Sequence, residues 1–365
     1  MLLTVNAGSS SLKVAIFDRS GHGRLLDIAV VEIGGAASLE GPGGARHVEA
    51  PDHAAALSLI REAIVGAGFD FQALSGAGHR VVHGGADFTA PARIDAAVMA
   101  SIEALSPFAP LHNPPALAAI RALAGLMPDL PQIACFDTAF HARQPETASA
   151  FALPLRLREK SIRRYGFHGL SYQGLVERVP GLINAALPDR LLALHLGNGA
   201  SVCAIHQGVG VATSMGFSPL DGLTMGTRCG AIDPAVVLRL ARDEGVDEAE
   251  RLLTRESGLK GLSNGTSDMR MLEAAGTPEA AFAIEHFCYW AARHSGSAVA
   301  AMGGVDLIAF TGGIGENAAP VRERIEALLS WTGAPSVVVP ADEEAVIAGA
   351  TAKVLTGDER RALGR

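Results

Sequence analysis

Two short polar stretches, one in each half of the chain, carry the side chains best suited to binding phosphate. The first, NAGSSS, begins at Asn6, and the second, HLGNGAS, begins at His195. Each lies between two apolar runs, a pattern that predicts a hairpin of two strands. Backbone N–H groups and hydroxyls converge in such turns, and glycine lets an anion approach the backbone closely. The pattern predicts two phosphate-binding turns, with two ordinary polar hairpin turns as the alternative.

Arginine and histidine residues that could hold a carboxylate or a developing negative charge recur beside glycine or proline. They are Arg80 in GHRVVHGG, His112 in APLHNPP, His168 in RRYGFHGL and Arg228 in MGTRCG. Arginine binds carboxylates and phosphates through paired N–H donors, and histidine donates to oxyanions. Functional residues often lie in loops at the ends of strands and helices. Surface arginines and hydrogen-bonded structural histidines are the alternative interpretation.

Three further stretches carry acidic or glycine-rich patterns. Asp137 follows an apolar strand in ACFDTAFH, where it suits catalysis or the N-cap of the next segment. Glu343 and Glu344 begin a helix, which suits either the helix dipole or a Mg²⁺ site. TGGIGEN, which begins at Thr311, lies between a strand and a helix and predicts a turn that holds a nucleotide. Neither G-x-G-x-x-G nor a Walker loop occurs in the chain.

The composition is that of a compact globular protein. With 365 residues, 48% hydrophobic and 19% charged, the chain is long enough for two domains. A net charge of −8 without a long Lys/Arg run argues against a nucleic-acid surface. No apolar stretch reaches the ~20 residues that span a bilayer. The start of the chain lacks signal-peptide features and the four cysteines form no CxxC pair, so we expect a cytoplasmic protein without structural zinc.

The elements that must position these side chains are predicted from apolar periodicity. Strands are predicted at residues 2–5, 13–17, 78–82, 132–136, 191–196, 201–206, 307–310 and 336–339. Helices are predicted at residues 54–66, 96–105, 116–123, 235–243 and 278–301. The glycine-rich segment 34–47 is predicted to be a surface loop. Paired strands followed by helices indicate an α/β protein with mixed sheets.

Taken together, the motifs resemble those of the acetate kinase family, in the sugar kinase/Hsp70/actin superfamily. The matching stretches, in family order from residue 2 to about residue 349, are NAGSSSLK, GHRVVHGG, APLHNPP, FDTAFH, RRYGFHGLSY, HLGNGAS, TSMGFSPLDGLTMGTRCG, SDMR, FTGGIGENA and PADEEAVIA. A match to one such motif is weak evidence for the family, whereas ten matches in the family order are specific evidence. The resemblance covers nearly the whole chain.

The resemblance implies a fold, a reaction and partners. The fold would be two actin-like, ribonuclease H-like α/β domains with mixed sheets flanked by helices and an active site in the cleft between them. Residues 1–140 and 345–365 would form the N-terminal domain, which the C-terminal helix completes, and residues 141–344 the nucleotide-binding domain. The reaction would be reversible phosphoryl transfer between ATP and acetate, giving acetyl phosphate and ADP. Mg²⁺ would be the cofactor, with Mn²⁺ able to substitute, and the enzyme would be a homodimer.

The resemblance also implies residue roles, position by position. The catalytic residues would be Asp137, His168 and Arg228. The acetate site would comprise Arg80, Val82, Leu111, His112, Phe167 and Pro219. The nucleotide site would comprise Lys13, His195, Leu196, Gly197, Asn198, Gly199, Asp268, Met269, Arg270, Gly313, Ile314, Gly315, Glu316 and Asn317. The metal site would comprise Asn6 and Glu343. Asp137 need not deprotonate acetate, which is already ionised at pH 7, so orienting the site or Mg²⁺ is an equal role for it.

The chain departs from the family pattern at three places. Tyr172 stands where a further histidine is usual, Ala231 replaces an acidic or hydroxyl residue, and the segment between Leu329 and Val337 is shorter than in typical members. A propionate or butyrate kinase would share nearly every motif. An actin-like or Hsp70-like conformational ATPase is the alternative from another class, and it would not explain Arg80 beside the apolar acyl-pocket residues.

Overall fold

The structure is a computed structural model that describes the backbone of residues 1–363 and the side chains of residues 1–357. Its contacts divide the chain into two compact units. Unit 1 comprises Met1–Ala139 together with the segment that starts at Asp342, and unit 2 comprises Phe140–Ala341. Residues 364 and 365 of the expected C-terminal segment lie outside the described residues.

The strands and helices follow one another in the order of a mixed α/β protein. The strands are β1 (Leu2–Ala7), β2 (Ser11–Phe17), β3 (Arg24–Val31), β4 (Ser38–Gly41), β5 (Gly44–His47), β6 (Gly76–Val81), β7 (Ala92–Arg93), β8 (Gln132–Phe136), β9 (Arg190–Leu196), β10 (Ala200–His206), β11 (Val209–Thr213), β12 (Leu307–Thr311) and β13 (Ser336–Val338). The helices are α1 (His53–Gly66), α2 (Ala96–Ala104), α3 (Asn113–Leu126), α4 (Glu146–Ser149), α5 (Leu155–Arg158), α6 (Gly169–Ile183), α7 (Pro234–Asp243), α8 (Val246–Arg251), α9 (Gly258–Ser263), α10 (Met269–Ala275), α11 (Pro278–Met302), α12 (Gly312–Asn317), α13 (Ala319–Leu328) and α14 (Glu343–Leu363). All eight predicted strands and all five predicted helices are present; β8 has the predicted bounds, and the other elements differ at one or both ends.

Unit 1 is built on an eight-stranded mixed sheet in the order β5-β4-β3-β2-β1-β6-β8-β7. β1 is antiparallel to β2 and parallel to β6, and β6 is parallel to β8. The side chains of β8 are buried along its whole length, as expected for a strand covered on both faces. This order brings the carboxyl ends of β1, β6 and β8 to one edge of the sheet.

Helix α14 packs against β1 and β6 and returns the end of the chain to unit 1. Glycine in β6 permits this close approach. A Cβ at Gly78 would lie 2.2 Å from Thr351 Oγ1 and 2.5 Å from Ile347 Cγ2, so any larger residue would push the helix away. The approach fixes the position of Glu343, the first residue of α14.

Helix α1 illustrates how the helices of unit 1 form. The Asp52 carboxylate accepts from the backbone N–H of Ala55 and caps the first turn. One face of the helix buries Leu57, Ile60 and Ile64, at the spacing of an amphipathic helix. Within the described residues, none of the helices is both long and apolar enough to pass through a bilayer.

Unit 2 is built on a five-stranded mixed sheet in the order β11-β10-β9-β12-β13. β9 is antiparallel to β10 and parallel to β12, and β12 is parallel to β13. β9 and β10 therefore have the same place in this sheet as β1 and β2 have in the first. The two polar stretches of the sequence are the turns of these equivalent hairpins.

The expectation that residues 34–47 form a surface loop is wrong. The segment contains β4 and β5, an antiparallel hairpin that pairs with β3 at the edge of the sheet. Leu39 is buried, whereas β5 is exposed throughout. The glycines and small polar residues therefore belong to strands at a solvated sheet edge, which are held by backbone pairing and one buried leucine. Such strands lack the apolar periodicity from which strands are predicted.

Candidate active site

Arg80, Asp137 and Glu343 form a charged cluster in unit 1. Arg80 lies near the end of β6, Asp137 directly follows β8, and Glu343 begins α14. Arg80 donates through Nε and Nη2 to the Asp137 carboxylate, at 3.1 and 2.7 Å from Oδ2. Its Nη1 lies 3.4 Å from Glu343 Oε2. The structure thus brings together three residues that the sequence assigns to the acetate, catalytic and metal sites.

Burial decides the electrostatics of this cluster. The Asp137 side chain is only 1% exposed, and this burial raises the pKa of its carboxyl, while Arg80 opposes part of the rise. Burial by itself lowers the pKa of Arg80, but the carboxylates of Asp137 and Glu343 outweigh it, so the pKa of Arg80 is raised. Arg80 is therefore a permanent cation held in a fixed orientation.

The first hairpin turn lies in the same unit. Gly8 donates its backbone N–H to the Ser11 carbonyl at 2.8 Å, which closes the turn, and the Gly8 carbonyl lies 2.7 Å from His53 Nε2. Asn6 and Lys13 are register partners across β1 and β2. Lys13 is exposed and lines a cavity of 730 Å³.

The loop after β6 is held by α3. The Asn113 side chain accepts from the His83 backbone N–H and donates to the His83 carbonyl, both at 3.1 Å. Val82 is 9% exposed and Leu111 40% exposed, and His112 is the N-cap residue of α3. Val82 and Leu111 belong to unit 1, whereas Phe167 and Pro219, which complete the predicted acyl pocket, belong to unit 2. The pocket stays a prediction.

His168 and His195 lie side by side in unit 2. Their rings stack with centroids 4.2 Å apart. Nδ1 of His168 lies 2.8 Å from Ser201 Oγ, and Nδ1 of His195 lies 2.8 Å from Ser171 Oγ. His168 is the N-cap residue of α6 and adopts a left-handed backbone conformation with φ 58°. Such a conformation is uncommon outside glycine and is often retained at functional sites.

Arg228 faces the second hairpin turn. Its Nη1 donates to the Pro219 carbonyl at 3.1 Å, which fixes the guanidinium. The point where a Cβ of Gly199 would stand lies 3.1 Å from His168 Nε2 and 3.7 Å from Arg228 Nη1. The turn and the two cationic or donor side chains therefore meet at one point. The loop that carries Arg228 is tied to the turn by Gly226, whose N–H donates to the Asn198 carbonyl at 2.9 Å.

A cavity of 680 Å³ opens beside the same turn. It is lined by the predicted nucleotide residues Gly197, Asn198, Asp268, Met269, Arg270, Gly313, Ile314 and Asn317, and also by Ser267, Glu273 and Ala318. The remaining predicted nucleotide residues of unit 2 do not line this cavity; they are His195, Leu196, Gly199, Gly315 and Glu316. Leu196 and Gly315 are buried, and Glu316 accepts from the Ala341 N–H at 2.9 Å. Arg270 donates to Asp268 and lowers the pKa of this carboxyl to about 2.

The expectation that TGGIGEN forms a turn is wrong, because residues Gly312–Asn317 form α12. Gly312 has φ 80°, and a Cβ there would lie 2.7 Å from the Leu196 carbonyl. Glycine is therefore needed for the chain to bend from β12 into a helix beside β9. This helix begins directly after the strand and presents Gly313 and Ile314 to the cavity.

Four polar residues that hold site histidines or the loop after β6 were not among the predicted ones. Ser201, Ser171 and Asn113 contact histidine side chains or backbone, and Thr138 Oγ1 accepts from the Gly84 N–H at 3.0 Å. The place of Ser201 near the site could have been predicted from the sequence, since hairpin pairing places it directly opposite His195. Within the described residues, no cluster of three or more His, Cys, Asp or Glu side chains could hold a metal ion.

The two mixed sheets share a core of five strands in the same order, β3-β2-β1-β6-β8 in unit 1 and β11-β10-β9-β12-β13 in unit 2. This core, with its flanking helices and polar hairpin turns, defines an actin-like class of ATP-using enzymes. The profile of the Acetokinase family matches residues 1–353. An acetate kinase of Rhodopseudomonas palustris (strain ATCC BAA-98 / CGA009) is 45% identical over 96% of this chain and 90% of that protein. The chain belongs to the acetokinase family.

Solved structures agree with this assignment. The crystal structure of Porphyromonas gingivalis acetate kinase is 33% identical, with a TM-score of 0.89 over 97% of this chain and 99% of that chain. A propionate kinase from Francisella tularensis subsp. tularensis SCHU S4 is 32% identical, with a TM-score of 0.91 over 96% of this chain and 99% of that chain. The predicted fold class, two mixed sheets flanked by helices, is confirmed.

Proposed function

We propose that the chain catalyses the reversible transfer of the γ-phosphoryl group of ATP to acetate, which yields acetyl phosphate and ADP. The observation that carries the proposal is the convergence of His168 Nε2 and Arg228 Nη1 on Gly199, beside the 680 Å³ cavity. Donors and a fixed cation at a glycine turn suit a phosphoryl group. Membership of the acetokinase family and the 45% identity to an acetate kinase support the same reaction.

In the forward direction, an oxygen of acetate forms a bond to the γ-phosphorus. The bond from that phosphorus to the β–γ bridging oxygen breaks, and ADP leaves with the electron pair. Negative charge spreads over the transferred oxygens, so catalysis depends on positioning and on nearby positive charge. Arg228 supplies the charge and His168 supplies an N–H donor. No general base is required, because acetate is ionised at pH 7.

We assign the acetate carboxylate to Arg80. Its two-pronged bond to Asp137 holds the guanidinium in one orientation, and such fixed geometry lowers the cost of aligning the attacking oxygen. Asp137 therefore orients Arg80. His112 at the start of α3 would lie at the same site, and Lys13 and the residues of the 680 Å³ cavity would bind ATP.

Mg²⁺ is the proposed cofactor, and it neutralises phosphate charge when bound. Asn6 and Glu343 offer amide and carboxylate oxygens, the ligands that this ion prefers, and a set of only two protein ligands fits an ion that keeps several waters. Mn²⁺ also prefers oxygen ligands and would substitute. Glu343→Gln should raise the Mg²⁺ concentration needed for half-maximal activity and weaken Mn²⁺ binding measured by electron paramagnetic resonance. Glu103→Gln, an exposed change in unit 1, is the control. Unchanged values for Glu343→Gln would contradict the assignment.

We propose that two copies associate through α11. Phe282 and Tyr289 are 57% and 54% exposed on this helix, and Trp290 borders two cavities of 310 and 350 Å³. Light scattering should give twice the mass of one chain, and Tyr289→Glu should lower it. Leu155→Glu, at an exposed site on α5, is the control. A monomeric unaltered protein would contradict the proposal.

The cytoplasm is the proposed compartment, because it supplies ATP and keeps thiols reduced. Cys135, Cys203, Cys229 and Cys288 are all free thiols. Fractionation of cells that produce the protein should place it with cytoplasmic marker enzymes.

Propionate is the second candidate acceptor, because a propionate kinase shares the fold at a TM-score of 0.91. A hydroxamate assay of acyl phosphate formation with acetate, propionate and butyrate separates these substrates. We expect acetate to give the highest kcat/KM. ATP hydrolysis that needs no acid would instead favour a conformational ATPase.

A further inference from the structure

His168 is held from behind by two buried hydroxyls. Its Nδ1 lies 2.8 Å from Ser201 Oγ, and Ser201 Oγ lies 2.5 Å from the Tyr172 hydroxyl. Ser201 and Tyr172 are both fully buried. The three groups form a continuous chain of hydrogen bonds from the interior of unit 2 to the imidazole.

The chain is built from two elements of unit 2. Tyr172 lies in the first turn of α6, four residues after the N-cap residue His168. Ser201 lies on β10, opposite His195 of β9. The Tyr172 ring packs against His141 at 5.8 Å between centroids and against Phe140 at 6.0 Å, which fixes the phenol.

The direction of the hydroxyl protons along the chain sets which imidazole nitrogen carries a proton. Each hydroxyl has one proton to donate. When Tyr172 donates to Ser201 Oγ, Ser201 donates its proton to His168 Nδ1. Nδ1 then accepts, and the proton of a neutral ring is on Nε2.

Nε2 is the nitrogen that faces the second hairpin turn. The point where a Cβ of Gly199 would stand lies 3.1 Å from it, and Arg228 Nη1 lies 3.7 Å from the same point. A proton on Nε2 is therefore directed to the place where the phosphoryl group is proposed to react. A proton on Nδ1 would leave a lone pair there, which repels phosphoryl oxygens.

We propose that Tyr172 and Ser201 are positioning residues that hold His168 as a neutral imidazole with its proton on Nε2, ready to donate to the transferring phosphoryl group. This inference rests on the proposed function for its catalytic part. It gives Tyr172, where the family usually has histidine, a role through its hydroxyl and not as a second catalytic histidine.

The test compares Tyr172→Phe with Tyr165→Phe. Tyr165 donates its hydroxyl proton to the Ser161 carbonyl at 2.9 Å, so its change also removes a partly buried hydroxyl bond but leaves the chain to His168 intact. Each variant is assayed for kcat and for both KM values, with a thermal melt to report folding. Nuclear magnetic resonance of ¹⁵N-histidine protein, with the His168 signals assigned from His168→Gln, reports the tautomer.

In the unaltered protein we expect the His168 proton on Nε2. Tyr172→Phe should reduce the Nε2–H population and lower kcat about fivefold, as expected when one hydrogen bond no longer biases the ring. Both KM values should stay within about twofold, since the donor acts on the transition state. Ser201→Ala should lower kcat further, about tenfold or more, because it removes the direct partner of Nδ1. Tyr165→Phe should leave both kcat and tautomer unchanged.

A proton on Nδ1 in the unaltered protein would overturn the proposal. So would a Tyr172→Phe variant that loses thermal stability but retains kcat and tautomer, because its hydroxyl would then be structural only. Failure of the proposed function is distinguishable from both. An unaltered protein that forms no acyl phosphate would overturn the reaction and the catalytic part of this inference, whereas the ¹⁵N signals decide the tautomer independently of activity.

Discussion

Arg80 and Asp137 are 57 residues apart in the sequence, yet they form a two-pronged ion pair because β6 and β8 are neighbouring parallel strands. The pair is held from the other side by α14, whose first residue, Glu343, lies 3.4 Å from Arg80. Three distant segments therefore converge on one guanidinium. An arginine fixed in this way can bind a carboxylate without first losing side-chain freedom.

We expect removal of either partner of this pair to destabilise the protein strongly. Arg80→Met should lower the free energy of unfolding by about 3–5 kcal/mol, because it leaves a buried carboxylate without its cation. Urea unfolding measures this value. The double variant Arg80→Met/Asp137→Leu should lose less than the sum of the single variants. Single-variant losses below about 1 kcal/mol would show that the pair contributes little.

We expect Arg228→Ala to lower kcat about a thousandfold, because its charge matters most when negative charge develops on the transferred oxygens. KM for ATP should change much less. Steady-state kinetics measure both values, and Arg239→Ala, at an exposed site on α7, is the matched control. Near-normal turnover in Arg228→Ala would exclude the assigned role.

Gly199→Ala should lower kcat roughly tenfold to a hundredfold, since small displacements of catalytic groups have effects of this size. The added methyl group would stand 3.1 Å from His168 Nε2 and push the ring or the turn aside. Gly181→Ala, where a Cβ has no neighbour within 4 Å, should have no effect on turnover. Equal kcat values for the two variants would contradict the convergence of side chains on this turn.

Val82→Ala should lower KM for propionate more than KM for acetate. Val82 is largely buried, and loss of its branched side chain would leave room for one more methylene. A poorly fitting methylene costs ~1–3 kcal/mol, so the unaltered protein should prefer acetate roughly tenfold to a hundredfold. Val65→Ala on α1 is an exposed control. Equal kcat/KM for the two acids in the unaltered protein would contradict this steric explanation of the preference.

Acidification should destabilise unit 1 through His79. Burial lowers the pKa of this fully buried histidine from 6.5 to about 4, and Gln132 opposes the shift only in part. Above pH 6.5 the residue is neutral in the folded and unfolded chains. Between pH 6.5 and 4 only the unfolded chain takes up the proton, so stability falls as the pH falls.

Urea unfolding at several pH values tests this dependence. His79→Asn should reduce the slope of the unfolding free energy against pH in this window by up to ~1.4 kcal/mol per pH unit, the contribution of one proton. His22→Asn, an exposed change, should leave the slope unaltered. Identical slopes for His79→Asn and the unaltered protein would disprove the role of His79.

Much of the fold follows from local patterns in the sequence. β8 and β12 are short apolar runs whose side chains are all buried, and α11 has a clear helical period and an N-cap at Thr277. The β4–β5 hairpin could not be predicted because its residues are mostly exposed and its pairing with β3 depends on distant backbone. The strand propensity of individual residues says little about where a strand forms when a neighbouring strand, distant in sequence, supplies the hydrogen bonds.

The site could be predicted from the sequence where charged residues lie at or directly after the ends of predicted strands. Asp137 and Arg80 follow or end neighbouring strands, so their meeting follows from the parallel order of the sheet. The contact of His168 with Ser201 was not predictable. It depends on the left-handed conformation of His168, which residue type does not encode.

The most direct test of the central claim is ³¹P nuclear magnetic resonance of the purified protein with ATP, Mg²⁺ and acetate. We expect signals of acetyl phosphate and ADP that grow together and only when acetate is present. Acetyl phosphate and ADP, supplied instead, should give ATP. Formation of ADP and inorganic phosphate at a rate that does not depend on acetate, with no acetyl phosphate signal, would contradict the claim that this chain transfers a phosphoryl group to a carboxylate.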